Sequence, residues 1–393
     1  MKLLTFSTLY PNAKMPHHGV FVENRLRHLV RDGAVQSRVV APIPWFPCRH
    51  SMFGQYATFA AVPQRGERHG ISIQYPRFPL LPKFGMSAAP FLMFHALKPV
   101  LNRILRSGYD FDLIDAHYFY PEGVAAVMLG EALGKPVTVT ARGTDLNLIP
   151  RYKIPRHLIR RAALRAAGLI TVCQALKDVL VELGVRPEGV KVLRNGVDLE
   201  LFRPANRAAA RQRLKLTRPT LLSVGLLIAR KGHDLVIRAL CELPEFDLLI
   251  VGEGPEQAAL IALAAKLGVS ERVRFLGRVP HDQLREIYSA ADIVVLASSR
   301  EGWANVLLEA MACGTPVAAS NVWGTPEVVA SRDAGILMDE RTPAALTRAV
   351  RELAHNLPDR QATRAYAEGF SWEQTTRGQL SLFNDIIGQR PGT

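Results

Sequence analysis

Residues 292–320 read DIVVLASSREGWANVLLEAMACGTPVAAS, and the order of residue types in that stretch decides the fold class. Ile293–Leu296 is apolar at every position, as a strand buried on both faces must be. A polar loop follows and carries Glu301. A helix is expected to open near Asn305, a residue that suits a capping position, and Glu309 falls one turn later. Gly314-Thr315-Pro316 then leads into a second apolar run at Val317–Ala319. Strand, loop, helix and strand make one βαβ unit of a parallel sheet. The loop would present backbone N–H groups at a helix N-terminus, where the macrodipole favours an anion. Glu309 shares a helical face with Asn305 and can reach back to that end. Amides for a phosphate with carboxylates for hydroxyls suit a sugar nucleotide; each hydrogen bond to a charged group is worth about 1.5–3 kcal/mol.

The same alternation extends in both directions. Strands are predicted at Leu3–Phe6, Arg38–Ala41, Ile71–Tyr75, Leu113–Ala116, Val137–Thr140, Leu169–Val172 and Val190–Leu193. After these come Thr220–Val224, Asp247–Val251 and Val273–Leu276. The spacing between them is of helix length, so the class is α/β with parallel sheets. The pattern breaks at Asn195-Gly196-Val197-Asp198 and resumes at Leu221. We divide the chain into residues 1–205, residues 206–370 and a terminal helix at 371–393. That helix is expected to carry a Trp372/Leu380/Phe383/Ile387 stripe that packs back toward the first domain.

Composition bounds the function. A chain of 393 residues accommodates two domains, and 48% hydrophobic with 21% charged residues describes a globular protein. Cys48, Cys173, Cys241 and Cys313 are isolated, which fits a reducing compartment and no cysteine-built metal site. The apolar start at Leu3–Phe6 is too short for a signal peptide, and no run reaches the roughly 18 apolar residues of a membrane span. We expect a cytoplasmic protein. Basic residues occur throughout and give a formal charge of +14, yet no nucleic-acid motif accompanies them. Residues 80–106 mix Phe84, Phe91, Leu92, Met93 and Phe94 with Lys83, Lys98, Arg103 and Arg106. Such a segment suits an anionic membrane surface; a core helix with a basic outer face explains it equally well.

The 292–320 block resembles the donor-site signature of retaining GT-B glycosyltransferases of family 4, usually E-G-F-G followed by L-E-A-M-A-x-G-x-P-V. The resemblance implies two Rossmann-like domains facing across a cleft. It places Glu301 on the donor sugar and Glu309 on the nucleotide ribose. Gly302, Trp303, Ala304, Asn305 and Val306 would supply amides and the sugar pocket, although Trp303-Ala304 stands where Phe-Gly is usual. Val224-Gly225-Leu226 and Arg230-Lys231-Gly232 resemble the family's G-R…K-G segment, whose cations neutralise the diphosphate. Lys231 matches, Leu226 replaces the usual Arg, and Arg230 is the residue expected to compensate for it. Gly254, Gly277 and Val279 fall in segments the family uses near the nucleotide. Read without the resemblance, Arg-Lys-Gly is a solvated turn and Gly-x-Gly plain turn geometry.

In the first half, Gly19 follows strand one and would let backbone approach the diphosphate; a flexible loop glycine is the alternative. Asp115-Ala116-His117-Tyr118 and Thr140-Ala141-Arg142-Gly143-Thr144-Asp145 resemble the family's H-x-H and H-G-T-D segments. Arg142 replaces a His; it cannot act as a base but can hold phosphate or position an acceptor. His117 would contact the acceptor, or else be a buried structural histidine, and Asp145 would orient the loop or an acceptor hydroxyl. Glu301, Lys231, Arg142 and His117 are thus the residues expected to carry catalysis. The finer resemblance is to the exopolysaccharide and teichuronic-acid-type branch.

The implied enzyme moves a sugar with retention from a UDP- or GDP-sugar to a glycan or lipid-linked acceptor. It would work at the inner face of the membrane in cell-surface polysaccharide synthesis, with no cofactor, metal or nucleic acid. Asp110-Phe111-Asp112 matches a D-x-D metal motif but reads as a helix-to-strand turn. A nicotinamide-dependent oxidoreductase is disfavoured because Gly252 and Gly254 are followed by Gln257 rather than a third glycine. A non-catalytic scaffold that keeps the fold is the other rival, supported by Leu226 and Arg142.

Overall fold

The computed structural model describes residues 1–31, 33–80 and 85–389. Its strands are β1 (Lys2–Phe6), β2 (Gln36–Val40), β3 (Ile43–Pro44), β4 (Arg65–Arg68), β5 (Ile71–Gln74), β6 (Arg77–Phe78), β7 (Leu113–His117), β8 (Val137–Ala141), β9 (Gly168–Thr171), β10 (Val190–Val192), β11 (Thr220–Val224), β12 (Asp247–Val251), β13 (Val273–Gly277), β14 (Ile293–Leu296), β15 (Val317–Ser320) and β16 (Gly335–Met338). The chain forms two units: Met1–Arg194 with the residues from Glu373 onward, and Asn195–Trp372.

In the first unit one sheet runs β10-β9-β8-β7-β1-β2-β5-β4 and is parallel except for the β4 edge; β3 and β6 pair separately. In the second unit the order is β13-β12-β11-β14-β15-β16, all parallel. Each sheet is doubly wound. In the second the chain proceeds outward from β11 and then restarts on its other side at β14; in the first the reversal lies between β1 and β7. Ligands of open α/β sheets collect at the carboxyl ends of strands at such reversals.

Every strand predicted from an apolar run is present. One edge strand of each sheet, β4 and β16, escaped prediction. β4 reads Arg-Gly-Glu-Arg with no apolar side chain, and it exists because His69 (φ 52°) and Gly70 (φ 75°) close a tight hairpin onto β5. β16 opens on Gly335, where an added Cβ would stand 1.9 Å from the Val317 carbonyl oxygen, so only glycine lets that strand reach β15.

By its internal contacts the segment 195–205, placed in the first domain from sequence, groups with the second unit. Val197 N–H donates to the Phe370 carbonyl (2.9 Å), and the Arg364 guanidinium donates to the Leu199 and Phe202 carbonyls. Those bonds bind residues 195–205 to the second unit's own C-terminal helix. The terminal helix, Trp372–Gly388, buries Thr375, Gln379 and Phe383, whereas Leu380 and Ile387 of the expected stripe are only half-buried. Phe383 joins Leu3, Val22 and Ile170 in the first unit's core.

The 80–106 segment resolves into the helix Ala89–Arg106. Met93 is buried, Leu92 and Phe94 are half-buried and Phe91 is exposed, so this is a core helix with a basic outer face. Lys83 and Phe84 lie outside the described residues. Asp110 pairs with Lys135 (2.5 Å) and Asp112 accepts from the Lys2 amide (2.7 Å), which makes D-x-D a turn. Among the described residues no helix is long and apolar enough to cross a membrane.

Candidate active site

The second unit gathers its expected site residues where the strand order reverses. The loop after β11 carries Gly225 to Gly232 and the loop after β14 carries Ala297 to Ala304. They are laced together. Ser299 N–H donates to the Arg230 carbonyl (2.8 Å), and Arg230 Nη1 donates to the Arg300 carbonyl (2.8 Å). Lys231 Nζ donates to Glu301 Oε1 at 2.6 Å, and Arg230 stands 3.5 Å from Oε2. Gly232 permits this closeness: it has φ 71°, and a Cβ there would lie 2.1 Å from the Ala297 carbonyl oxygen.

Glu301 is nearly buried. Burial alone would raise its carboxyl, but the charges of Lys231 and Arg230 outweigh that and hold it below its usual value. The site therefore holds a buried carboxylate already matched to two cations, 70 residues away in sequence.

The helix Asn305–Ala312 opens beside this pair, with Ala304 in the N-cap position and no side-chain cap. Asn305 is the first helical residue, not the cap expected for it. Its Oδ1 accepts instead from Asn195 Nδ2 (3.3 Å), leaving the first-turn amides without a side-chain oxygen of their own. Trp303 turns into the interior, its ring 6.1 Å from that of Phe370, which is how a bulky residue fits where Phe-Gly is usual. Gly302 and Val306 are half-buried at the same turn.

One turn into the helix, Glu309 is held by residues the sequence did not mark as its partners. Tyr288 Oη donates to Oε2 (2.9 Å) and His281 Nε2 lies 3.0 Å from Oε1. Burial lowers the His281 imidazole, but the Glu309 hydrogen bond and charge prevail and raise it. The Phe202 ring packs edge-on against both His281 (4.9 Å) and Tyr288 (6.0 Å), fixing the pair that fixes the carboxylate. A His following Pro280 gives no periodic signal that would have found it.

Gly252 and Gly254 are close-approach positions. A Cβ on Gly252 would stand 1.8 Å from the Gly225 carbonyl oxygen, and one on Gly254 2.4 Å from that of Leu227. Gly277 ends β13 and its carbonyl accepts from Gly252 N–H (2.8 Å); Val279 follows it, half-buried. Leu226 projects outward. His233, another residue sequence reasoning passed over, steadies the loop. Burial brings its imidazole down to about 4, so it is neutral near pH 7: Nε2–H donates to the Leu226 carbonyl (3.2 Å) and Nδ1 accepts from Ser223 (2.8 Å).

In the first unit the expected residues meet at the carboxyl ends of β7 and β8, and they meet inside. His117 is 1% exposed; burial takes its imidazole to about 4, with Asp115 opposing and Arg142 adding to the fall. The neutral ring donates from Nε2 to Asp115 (3.1 Å) and accepts at Nδ1 from Arg142 Nη2 (2.7 Å). Arg142 is thus drawn inward, its guanidinium 5.6 Å from the Phe21 ring centre, and burial pulls its pKa well down. Asp145 accepts from the backbone N–H groups of Phe119 (2.8 Å), Gly143 (2.6 Å) and Arg142 (3.1 Å), orienting both loops; burial still leaves its carboxyl raised.

Polar residues behind this cluster were not anticipated. Arg25, fully buried, donates to Gln379 (3.0 Å) and the Leu193 carbonyl (3.1 Å), and Gln379 donates to Asp115 (3.1 Å). Glu122, buried after β7, accepts from Thr8, and burial pushes its carboxyl up to about 7. Gly19 has φ 73°, and a Cβ on it would fall 2.2 Å from Leu9 backbone atoms; its closeness is to its own loop. Among the described residues no cluster of acidic, Cys and His side chains could hold a metal.

Known proteins resemble this chain along nearly all of its length. Residues 206–370 match the family described as Glycosyl transferases group 1, and residues 19–201 match Glycosyltransferase Family 4. The D-inositol 3-phosphate glycosyltransferase 1 of Catenulispora acidiphila is 32% identical over 313 residues, spanning 72% of this chain and 74% of the relative. A D-inositol 3-phosphate glycosyltransferase of Mycobacteroides abscessus is 33% identical over 73% and 69%. Among solved structures, sucrose-phosphate synthase from Thermosynechococcus elongatus superposes with a TM-score of 0.81 at 19% identity, covering 99% of this chain and all of that one. Anabaena HepE in complex with UDP gives 0.74 at 21% identity, covering 98% and 100%; its complex with UDP-glucose also gives 0.74. The fold is the GT-B fold of two Rossmann-like domains.

Proposed function

The chain belongs to the group 1 and family 4 glycosyltransferases, and within that family we propose that it moves a sugar, with retention, from a UDP- or GDP-sugar to a glycan or lipid-linked acceptor of cell-surface polysaccharide synthesis. Membership sets the reaction class, glycosyl transfer from a nucleotide sugar, and displaces the oxidoreductase reading. The observation that carries the rest is the Lys231–Glu301 pair at the β11/β14 reversal, with an uncapped helix start and Glu309 beside it.

In this reading Lys231, Arg230 and the amides around Asn305 hold the diphosphate. Glu301 turns to the donor sugar within a wall formed by Gly302 to Val306, and Glu309 accepts from the ribose. Gly225, Gly254, Gly277 and Val279 bring backbone to the nucleotide. Charge grows on the leaving diphosphate as its bond to the sugar breaks. A fixed cation there acts mainly on the transition state. A donor phosphate oxygen takes the acceptor's proton, and no side chain attacks the sugar. Arg142, His117 and Asp145 shape the acceptor side, the buried pair acting by orienting its loops. UDP is the first base to try, because the HepE structures hold UDP and UDP-glucose.

The names of the relatives favour a second acceptor, a soluble phosphorylated polyol. Thermal-shift screening against UDP-, GDP- and ADP-sugars tests the donor reading. A ligand at a hundred times its Kd stabilises the native state by about 2.7 kcal/mol. No shift with any nucleotide sugar would refute it. Supplying the donor found with an inositol phosphate or a lipid-linked glycan then separates the acceptors, and NMR of the product's anomeric centre reports retention.

A further inference from the structure

The charge of the molecule is not evenly shared. Residues 1–194 carry 26 Lys and Arg against 12 Asp and Glu, the whole excess of +14, whereas residues 195–393 carry 23 of each. Two stretches of the first unit contain no acid at all, 68–109 and 146–177. They supply the helices Ala89–Arg106 and Lys153–Arg165, which flank the helix Val124–Leu133 in one layer against the sheet. Lys153–Arg165 buries Pro155, Leu158, Ile159, Ala162 and Ala163 and turns Lys153, Arg156, Arg160 and Arg161 outward. Lys153, Arg156 and Arg161 have no acidic partner among the described residues. On the other helix Lys98, Asn102, Arg103 and Arg106 line a shallow depression.

Most of the exposed large apolar side chains fall on the same unit and at one edge of it; Leu164 lies at the far end of its helix, and Leu226, Ile261 and Leu357 are scattered singly over the second unit. Trp45 (56% exposed) and Met52 (77%) lie on the segment that leaves β2 and β3 at their carboxyl ends; Phe53 is beside Met52. Met86 and Phe91 stand at the start of Ala89–Arg106, and Tyr120, in the turn after β7, donates from its hydroxyl to the Met86 carbonyl (2.5 Å). Tyr152 and Ile154 (56%) stand at the start of Lys153–Arg165, after β8. Large apolar residues normally avoid water in such numbers at one rim unless the rim has a partner.

We propose that this carboxyl-edge rim and the cationic helices behind it form a docking face for a bilayer bearing anionic head groups. Aromatic and long apolar side chains enter the head-group boundary, and the cations beside them meet lipid phosphates. Nucleic acid, the other partner of a basic face, uses cations but gives Met52 and Ile154 nothing to bury in. The inference goes beyond the expected contact through 80–106, most of whose apolar residues are core. It rests on the reading of this unit as the acceptor side, since the rim surrounds the ends of β7 and β8. It therefore selects the lipid-linked acceptor over the soluble polyol.

The test is co-sedimentation of the full chain with vesicles of phosphatidylcholine alone or mixed with phosphatidylglycerol, at low and high salt. Binding is expected only with the anionic lipid and is weakened by salt. Arg156→Glu with Arg161→Glu should cut partitioning by about tenfold or more, from roughly a factor of five per cation. Met52→Ser with Ile154→Ser should weaken binding without altering its salt dependence, and Arg213→Glu with Arg332→Glu, in the second unit, should change nothing. Nucleotide-sugar thermal shifts run on the same variants should match those of the parent, so loss of docking and failure of the donor reading are read separately. Absence of vesicle binding, equal binding to neutral lipid, or retention on heparin or RNA in place of vesicles would overturn the proposal.

Discussion

Replacing Glu309 with Ala removes a carboxylate that the structure uses twice internally and that we assign to the ribose. The internal consequence follows from burial. Tyr288 is fully buried and its hydroxyl donates to Glu309 Oε2, so truncation strands a buried O–H, at a cost of about 1–3 kcal/mol. The binding consequence is separate. Each carboxylate oxygen retains a lone pair beyond those given to Tyr288 and His281, enough to accept from a ribose hydroxyl. Losing such a charged hydrogen bond, at about 1.5–3 kcal/mol, weakens nucleotide affinity by about 10- to 150-fold. Adding Tyr288→Phe separates the two effects. Removing donor and acceptor together should restore most of the stability, because nothing is left unpaired, yet affinity should stay low. Denaturant titration of the single and double variants, with calorimetric titration of nucleotide, measures both. Full-strength nucleotide binding by the double variant would show that Glu309 serves the fold alone and would refute its assignment to the ribose.

Lys231→Met should lower kcat/KM by about 10²–10³, the loss typical of one fixed charge-stabilising group, while thermal stability falls because Glu301 keeps only the more distant Arg230. Unchanged kcat/KM with a low Tm would make the pair purely structural. Glu301 itself, held below its unfolded value, contributes stability that is present above about pH 4.5 and lost as pH falls through its folded pKa; Glu301→Gln should remove that acid sensitivity. Glu122 has the opposite sign. Its folded pKa of about 7 lies above the unfolded 4.5, so its contribution is full at low pH and about 3 kcal/mol is lost as pH rises through that window. Glu122→Gln keeps the acceptor for Thr8, and the variant's gain over the parent should grow by that amount between about pH 5 and about pH 8 in urea titrations; a constant offset would contradict the burial argument. Gly232→Ala should destabilise by more than the roughly 1–2 kcal/mol of a left-handed alanine, since the Cβ also meets Ala297, and should weaken donor binding by parting the two loops.

What was legible in the chain divides along physical lines. Strands buried on both faces tend to be contiguous apolar runs, so β12 and β14 announce themselves, whereas β4 is held by its turn and β16 by a glycine's missing Cβ. Glu301 and Glu309 were legible because one βαβ unit carries both. Their partners were not. Tyr288 and His281 reach Glu309 from separate elements, and Arg25, Gln379 and Asp115 form one buried chain of hydrogen bonds spanning the first unit from helix to C-terminus. A polar residue on a helix reads as solvent-facing until the far end of the sequence folds onto it. His117 and Arg142 illustrate the converse: correctly located at strand ends, they face each other rather than outward, because two polar groups that satisfy one another can be buried at little cost.

Pairing of this kind bears on how the donor enters. Breaking a buried ion pair by removing one partner costs about 3–5 kcal/mol, so a diphosphate that merely took Lys231 would leave Glu301 charged and bare. A nucleotide sugar brings a substitute for each member at once, phosphate oxygens for the lysine and sugar hydroxyls for the glutamate. In the proposed reading the bound state is then an exchange of partners in which no buried charge is orphaned, and a ligand with only one of the two halves forfeits part of the gain. The resting Lys231–Glu301 pair thereby keeps both groups desolvated and aimed at the β11/β14 reversal before the substrate arrives, which is the preorganisation that electrostatic stabilisation of a leaving diphosphate requires.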